Sequence, residues 1–279
     1  MFKNIFLIST LSGFLMACNG NTTTEPPKEN PPASSPVAAT SHAASATASN
    51  ESNPNWQTLM VATEASYPPF QHKDESGQPI GFEVELMKEV AKAAQFNVHI
   101  VHTERKMWRE TLSAGNFDVW SSSFTISDKD ADVADFSDPF LQVQNVVYVL
   151  DNEKNAAIKD SSGLKGKKIS ISKYSKSAPQ VVGQLTGSPD LAIPADTFYL
   201  ALKNVYAGQT DGVFGQDLVL GYYAREHGMK TKSIDIGEKK KSLAFVVKKG
   251  NQAVLKKLNE GLAIIKANGV YDALVKKYF

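Results

Sequence analysis

The chain has 279 residues, 42% of them hydrophobic and 21% charged, with 30 Lys+Arg against 29 Asp+Glu. That balance supports a folded core of one or two domains and excludes the bulk basic charge of a nucleic-acid binder. The dense basic run Lys239-Lys240-Lys241 is read as a solvated turn, so no nucleic-acid partner is expected.

Taken in chain order, Lys3 and the apolar stretch Ile5 to Met16 come first. That stretch is shorter than the roughly 20 residues a membrane span needs, and residues 1–17 are read as a signal peptide. It closes on Leu15-Met16-Ala17-Cys18, whose cysteine is the only one in the chain. The pattern resembles a bacterial lipobox, which implies lipidation at Cys18 and a membrane attachment through the lipid; an ordinary secretory signal with a chance cysteine is the other reading. A single cysteine forms no intramolecular disulfide. Residues 18–56 then turn rich in Pro, Ala, Ser and Thr, with almost no large apolar side chains. Such a segment buries too little surface to offset its ordering entropy and reads as an extended tether.

From Trp56 the pattern alternates strand with helix. Leu59 to Ala62 predicts a buried strand, and Tyr67-Pro68-Pro69-Phe70 a loop leaving it. After Gly81, Phe82, Leu86, Met87, Val90 and Ala94 recur at helical spacing. Asn97 to His102 predicts a strand, Trp108 to Ser113 a short helix, and Val119 to Ser122 another strand. The apolar run Val143 to Leu150 predicts one strand; Lys168 to Ile171, Gly212 to Phe214 and Leu243 to Val247 predict three more. A long helix from about Asn251 carries Val254, Leu255, Leu258, Leu262 and Ile265 on one face, and a short helix follows Gly269. Alternation of this kind predicts an α/β fold with largely parallel sheets, in two lobes. Ligands of such sheets bind where loops leave the carboxyl ends of strands, here after Ala62, Ser123 and Phe214.

Other chemistries find little support. Asp128-x-Asp130-x-Asp132 lacks the glycine and the twelfth acidic residue of a calcium loop. His99 and His102 fall on opposite faces of a strand, which argues against zinc. Gly115 and Gly166 are isolated turn glycines rather than a nucleotide cradle, so no cofactor and no catalytic residue is expected.

Six segments, in order, resemble the bacterial extracellular solute-binding proteins of family 3, the polar amino-acid type. They are Ala62-Thr63-Glu64-Ala65-Ser66-Tyr67-Pro68-Pro69-Phe70, Gly81-Phe82-Glu83-Val84-Glu85-Leu86, Gly115-Asn116-Phe117-Asp118-Val119, Asp135-Phe136-Ser137-Asp138-Pro139-Phe140, Leu164-Lys165-Gly166-Lys167-Lys168-Ile169 and Asn268-Gly269-Val270-Tyr271-Asp272. The resemblance implies the two-lobed periplasmic binding protein type II fold. Lobe 1 would be discontinuous, residues 57–142 plus 244–279, with the hinge and lobe 2 over 143–243. Crossing segments near Val143 to Tyr148 and Lys239 to Leu243 would let the cleft close.

It also implies a ligand site. Glu64, Tyr67, Ser122, Ser123 and Thr125 fall on lobe-1 positions that meet the ligand, whereas Phe70 reads as packing. The position of the carboxylate-gripping arginine is held by Asp130, and like charges about 4 Å apart cost roughly 4 kcal/mol at an effective dielectric near 20. Lys129 beside it sits on another face of a helix. The position of the ammonium-holding aspartate is held by Gln216, followed by Asp217. Arg105 stands at a usually aromatic position, with Trp108 one turn on; it is either a relocated anion anchor or a surface arginine. In lobe 2, Ser175 and Lys176 precede a helix whose amides suit an anion.

Three functional readings follow from the resemblance. The first is capture of an amino acid or related small polar solute for an ABC importer, with permease subunits as partners. The second is the same module binding a non-amino-acid ligand or serving a sensing or surface role. The third is an enzyme similar to cyclohexadienyl dehydratase, against which Asp130 counts. The expected location is the cell envelope, periplasmic side or cell surface.

Overall fold

The computed structural model describes residues 52–279. Residues 1–51, on which the expected signal peptide, Cys18 and most of the expected tether fall, lie outside the described residues. In chain order the elements are β1 (Thr58–Thr63), β2 (His72–Lys73), β3 (Pro79–Ile80), α1 (Phe82–Ala93), β4 (Asn97–His102), α2 (Trp108–Ala114) and β5 (Val119–Thr125). Then come β6 (Ala134–Phe136), β7 (Leu141–Val143), β8 (Asn145–Leu150), β9 (Ile169–Ser172), α3 (Ala178–Thr186), β10 (Ala192–Ala195) and α4 (Phe198–Tyr206). The chain ends with β11 (Gly212–Gln216), α5 (Asp217–Glu226), β12 (Thr231–Asp235), β13 (Lys241–Lys248), α6 (Gln252–Ala267) and α7 (Val270–Tyr278). No helix of the described residues is long and apolar enough to cross a membrane.

Two sheets carry two lobes. The first runs β4-β1-β5-β13-β6, with β7 also paired to β13; the second runs β10-β9-β11-β8-β12. Each sheet has a core on both faces, written in the alternation of its strands. In β1, Leu59 and Val61 pack with α1, α6 and α7, whereas Ala62 joins Leu112, Trp120 and Phe124 on the other side. In β8, Val147 and Val149 meet Ile169 and Val182, while Val146 meets Leu202, Val213 and Leu220. Phe70, expected as packing, is fully buried.

The sheets are mixed rather than largely parallel. β1 pairs in parallel with β4 and β5, and β9 with β10 and β11. β8 runs antiparallel to β11 and β12, and β13 antiparallel to β5, β6 and β7. β8 and β13 are the strands by which the chain enters the second sheet and returns to the first, so both arrive against the prevailing direction. The apolar run read as one strand from Val143 to Leu150 is two: β7 ends at Val143 in the first sheet, and β8 begins at Asn145 in the second. The outward crossing is thus Gln144, and the return falls between Asp235 and Lys241.

Candidate ligand site between the lobes

The loop after β1 is built on the start of α1. The amides of Phe82 and Glu83, unpaired at a helix start, donate to the carbonyls of Pro69 (2.9 Å) and Phe70 (2.8 Å). Gly81 makes this approach possible: its φ is 118°, and a Cβ there would stand 2.8 Å from the Pro69 oxygen and 2.7 Å from the Phe70 oxygen. Tyr67 is thereby set at the edge of the cleft, stacked on Phe70 with centroids 5.7 Å apart. It faces Phe198 of α4 in the other lobe at 6.3 Å. Burial pushes its phenol well above the ordinary value, with Arg105 acting in the opposite sense.

Beside these rings lies a cavity of about 120 Å³, lined by Tyr67 of lobe 1 and by Asn145, Ser172, Ser175, Ser177, Phe198, Phe214, Gly215 and Gln216. The lobe-2 wall is the carboxyl end of β9 and β11 and the turn entering α3, where an open α/β sheet receives its ligand. Gly215 lets Phe198 lie flat on the wall: a Cβ there would stand 2.6 Å from the Phe198 ring. Gln216 Oε1 is buried without a hydrogen-bond partner. A buried acceptor of that kind is costly until a donor reaches it.

Of the residues expected to meet a ligand, Tyr67, Ser175 and Gln216 line this cavity, and the rest stand around or behind it. Ser122 is buried; its hydroxyl accepts from the Glu64 amide (3.2 Å) and from Gln71 Nε2 (3.1 Å). Ser123 has φ 51°, and its amide (3.0 Å) and hydroxyl both donate to Glu83. Thr125 is the last residue of β5, paired with Leu243. Trp108 packs edge-on against Phe124 at 5.1 Å within a core cluster. Lys176 is exposed on the turn before α3. Asp217 turns away to the crossing, where it accepts from the amides of Leu218 (2.8 Å) and Gln144 (3.4 Å). Burial raises its carboxyl, opposed by those amides and by Lys240 of the return crossing.

Asp130 presents no bare charge. It closes a 3-10 turn, Asp128–Asp130, rather than an α-helix, and accepts from Arg109 Nη2 at 2.6 Å. Asp132 takes the same guanidinium, so two members of the acidic triplet are held by Arg109. Arg105 is not a surface arginine either. It donates to the Ser122 carbonyl, and its guanidinium carbon lies 3.9 Å from the centre of the Phe124 ring. Burial lowers its pKa, while Glu64, Glu83, Tyr67 and Asp130 favour its charge.

Glu83 escaped the sequence reading. It is 1% exposed, beneath the end of β5, and binds Ser121 Oγ at 3.0 Å besides Ser123. It stands in the segment Gly81-Phe82-Glu83-Val84-Glu85-Leu86, but as an acid at a first-turn position, where exposure is the norm. Asn145, Ser172, Ser177, Phe198, Phe214 and Gly215 were missed as well. Ser172 sits at the carboxyl end of a predicted strand, where the topology rule points; Phe198 has no local marker.

Two lobes of α/β sheet joined by two crossings, with an unpartnered acceptor in the cavity between them, define a cleft-type solute receptor. The profile of the bacterial extracellular solute-binding proteins, family 3, matches residues 59–279, and the chain belongs to that family. An amino-acid-binding protein, AabA, of Dichelobacter nodosus is 30% identical over 76% of this chain and 83% of its own. The L-cystine-binding protein TcyA of Bacillus subtilis is 28% identical over 79% of this chain and 81% of its own. Among solved structures, an ancestral cationic amino acid solute binding protein superposes with a TM-score of 0.71 at 30% identity, covering 80% of this chain and 95% of that one.

Proposed function

We propose that this protein captures an amino acid, or a closely related small polar solute, between its lobes and delivers it to an ABC importer. The observation that carries the reading is Gln216 Oε1, a buried acceptor without a partner on the wall of a cavity otherwise lined by hydroxyls and aromatic rings. An ammonium group would satisfy it. The matching carboxylate would meet the hydroxyls of the turn Ser175–Ser177, with Lys176 adding positive charge. Tyr67 and Phe198 would close over the guest from opposite lobes. The amino-acid and cystine binders among the relatives support the same class of ligand. Permease subunits are the proposed partners, and lipid on Cys18 the proposed attachment.

A second reading, a solute without an α-carboxylate, is favoured by Asp130 at the position where the resemblance expects an arginine. Thermal-shift screening against amino acids, amines, dipeptides and organic acids separates the two. Stabilisation by α-amino acids supports the first reading; stabilisation by amines alone replaces it with the second. Uptake of the stabilising compound by cells, with and without this chain, tests the importer. Cys18→Ser is expected to abolish labelling by a fatty-acid probe, and unchanged labelling would remove the anchor.

A further inference from the structure

The charged groups beside the cavity are arranged in an unusual order. Arg105 donates to the Ser122 carbonyl, the Glu64 amide donates to the Ser122 hydroxyl and Glu83 accepts from the Ser123 amide, so both acids lie at the stretch of β5 that holds this guanidinium, and both favour its charge. The other charges nearby are already satisfied: Asp130 by Arg109 at 2.6 Å, and Lys106 by Glu104 at 2.6 Å. Arg105 is held from two sides, by the Ser122 carbonyl and by the face of Phe124, both on β5 of its own lobe. Its head group is therefore stored in lobe 1, beside two acids, a carbonyl and the face of one aromatic ring. That is the environment a protein offers to a bound organic cation.

What remains open to a guest is different in kind. The cavity wall contains no charged side chain: its polar groups are the Asn145 and Gln216 amides, the Ser172, Ser175 and Ser177 hydroxyls, and the Tyr67 phenol. An apolar cavity of about 150 Å³ holds a benzene-sized guest. A volume of about 120 Å³ therefore suits roughly five non-hydrogen atoms, close to the size of glycine or alanine.

Building on the proposed capture of amino acids, we propose that Arg105 is a built-in cation that fills the acidic side of the cleft. The protein thus admits a small solute with an uncharged side chain and refuses guanidinium and long amine ligands. Arg105 is then a specificity-determining residue that acts by occupancy, and not the group that grips an anion.

The test compares the purified full chain with Arg105→Ala, using ethylguanidine as a stand-in for the removed head group and L-alanine and L-arginine as guests. Ethylguanidine at millimolar concentration is expected to raise the melting temperature of R105A by several degrees and to leave the wild type unmoved. L-Arginine is expected to bind R105A at least about tenfold more tightly than the wild type. Should R105A not fold, Arg105→Met keeps the stem over Phe124 and takes the same comparison. Equal ethylguanidine response in variant and wild type would overturn the proposal. So would a wild type that prefers L-arginine to L-alanine, or an R105A that loses L-alanine without responding to ethylguanidine. The ethylguanidine arm needs no knowledge of the natural ligand. If the wild type binds no amino acid, the capture reading fails while that arm still decides the role of Arg105.

Discussion

Glu83 is a carboxylate withdrawn from water, and its surroundings show how the end of β5 is held. Burial raises its pKa; the Ser123 hydroxyl and amide, the Ser121 hydroxyl and Arg105 act in the other direction. The same bonds hold Ser123 at a left-handed φ of 51°, which a serine rarely adopts unaided. Because the folded-state pKa lies above the unfolded one, the folded protein keeps this proton longer as pH rises. The associated stability is complete at acid pH and is lost as pH climbs from the ordinary glutamate range through the raised value. Glu83→Gln removes that loss. The stability of E83Q relative to wild type, from urea melts, is therefore expected to improve as pH rises above the ordinary glutamate range, and a difference that stays flat with pH would contradict the assignment. At this scale the sequence was partly legible. Tyr67, Ser175 and Gln216, which line the cavity, were expected there from the family resemblance, but a resemblance cannot tell which side chains are consumed by neighbours. Ser122 and Ser123 spend their hydrogen bonds inside lobe 1. Asp130 is neutralised by Arg109, a residue twenty-one positions away in sequence that only the fold brings near.

Among the elements, the joint between the β1 loop and α1 carries the most position-specific requirement. Two motifs, the one ending in Pro69-Phe70 and the one opening at Gly81, are halves of a single joint, since the loop carbonyls cap the helix amides. Gly81→Ala would place a methyl group against both carbonyls at a positive φ. It is expected to cost on the order of 2–3 kcal/mol, seen as a lower urea midpoint with an unchanged slope. A change within a few tenths would show that the loop shifts freely. Helices and inner strands were readable because their apolar spacing is set by burial: the buried Phe82, Leu86, Met87 and Val90 of α1 are the residues the periodicity picked out. In the second sheet the strands that escaped, β10 and β12, are its two edges. Edge strands bury little, tolerate Pro194 and Lys232, and so carry no strong alternation. The break at Gln144-Asn145 was hidden for the opposite reason, because Val143 precedes the pair and Val146-Val147 follow it.

Across the whole molecule, the lobes touch on two sides of the cleft. Leu218, Val219 and Tyr223 of α5 pack into the lobe-1 core, and Arg225 Nη2 donates to the Tyr278 carbonyl at 2.9 Å. At the crossings, Asn145 Nδ2 donates to Glu238 at 2.8 Å, and Asp217 binds the Gln144 backbone beside Lys240. These contacts tie both crossings to the cavity wall, because Asn145 and Gln216 are partners across β8 and β11. A guest that engages Gln216 therefore acts on the strands that must flex for the cleft to open. Addition of a bound solute is expected to reduce the radius of gyration measured by X-ray scattering if the free protein samples an open cleft. The most direct check on the central claim is isothermal titration of the wild type and of Gln216→Leu with glycine, L-alanine and L-serine. The account predicts saturable one-to-one binding of at least one of them, weakened at least about tenfold in Q216L by loss of the buried acceptor. Undiminished affinity in Q216L, or no binding of any amino acid by the wild type, would contradict it.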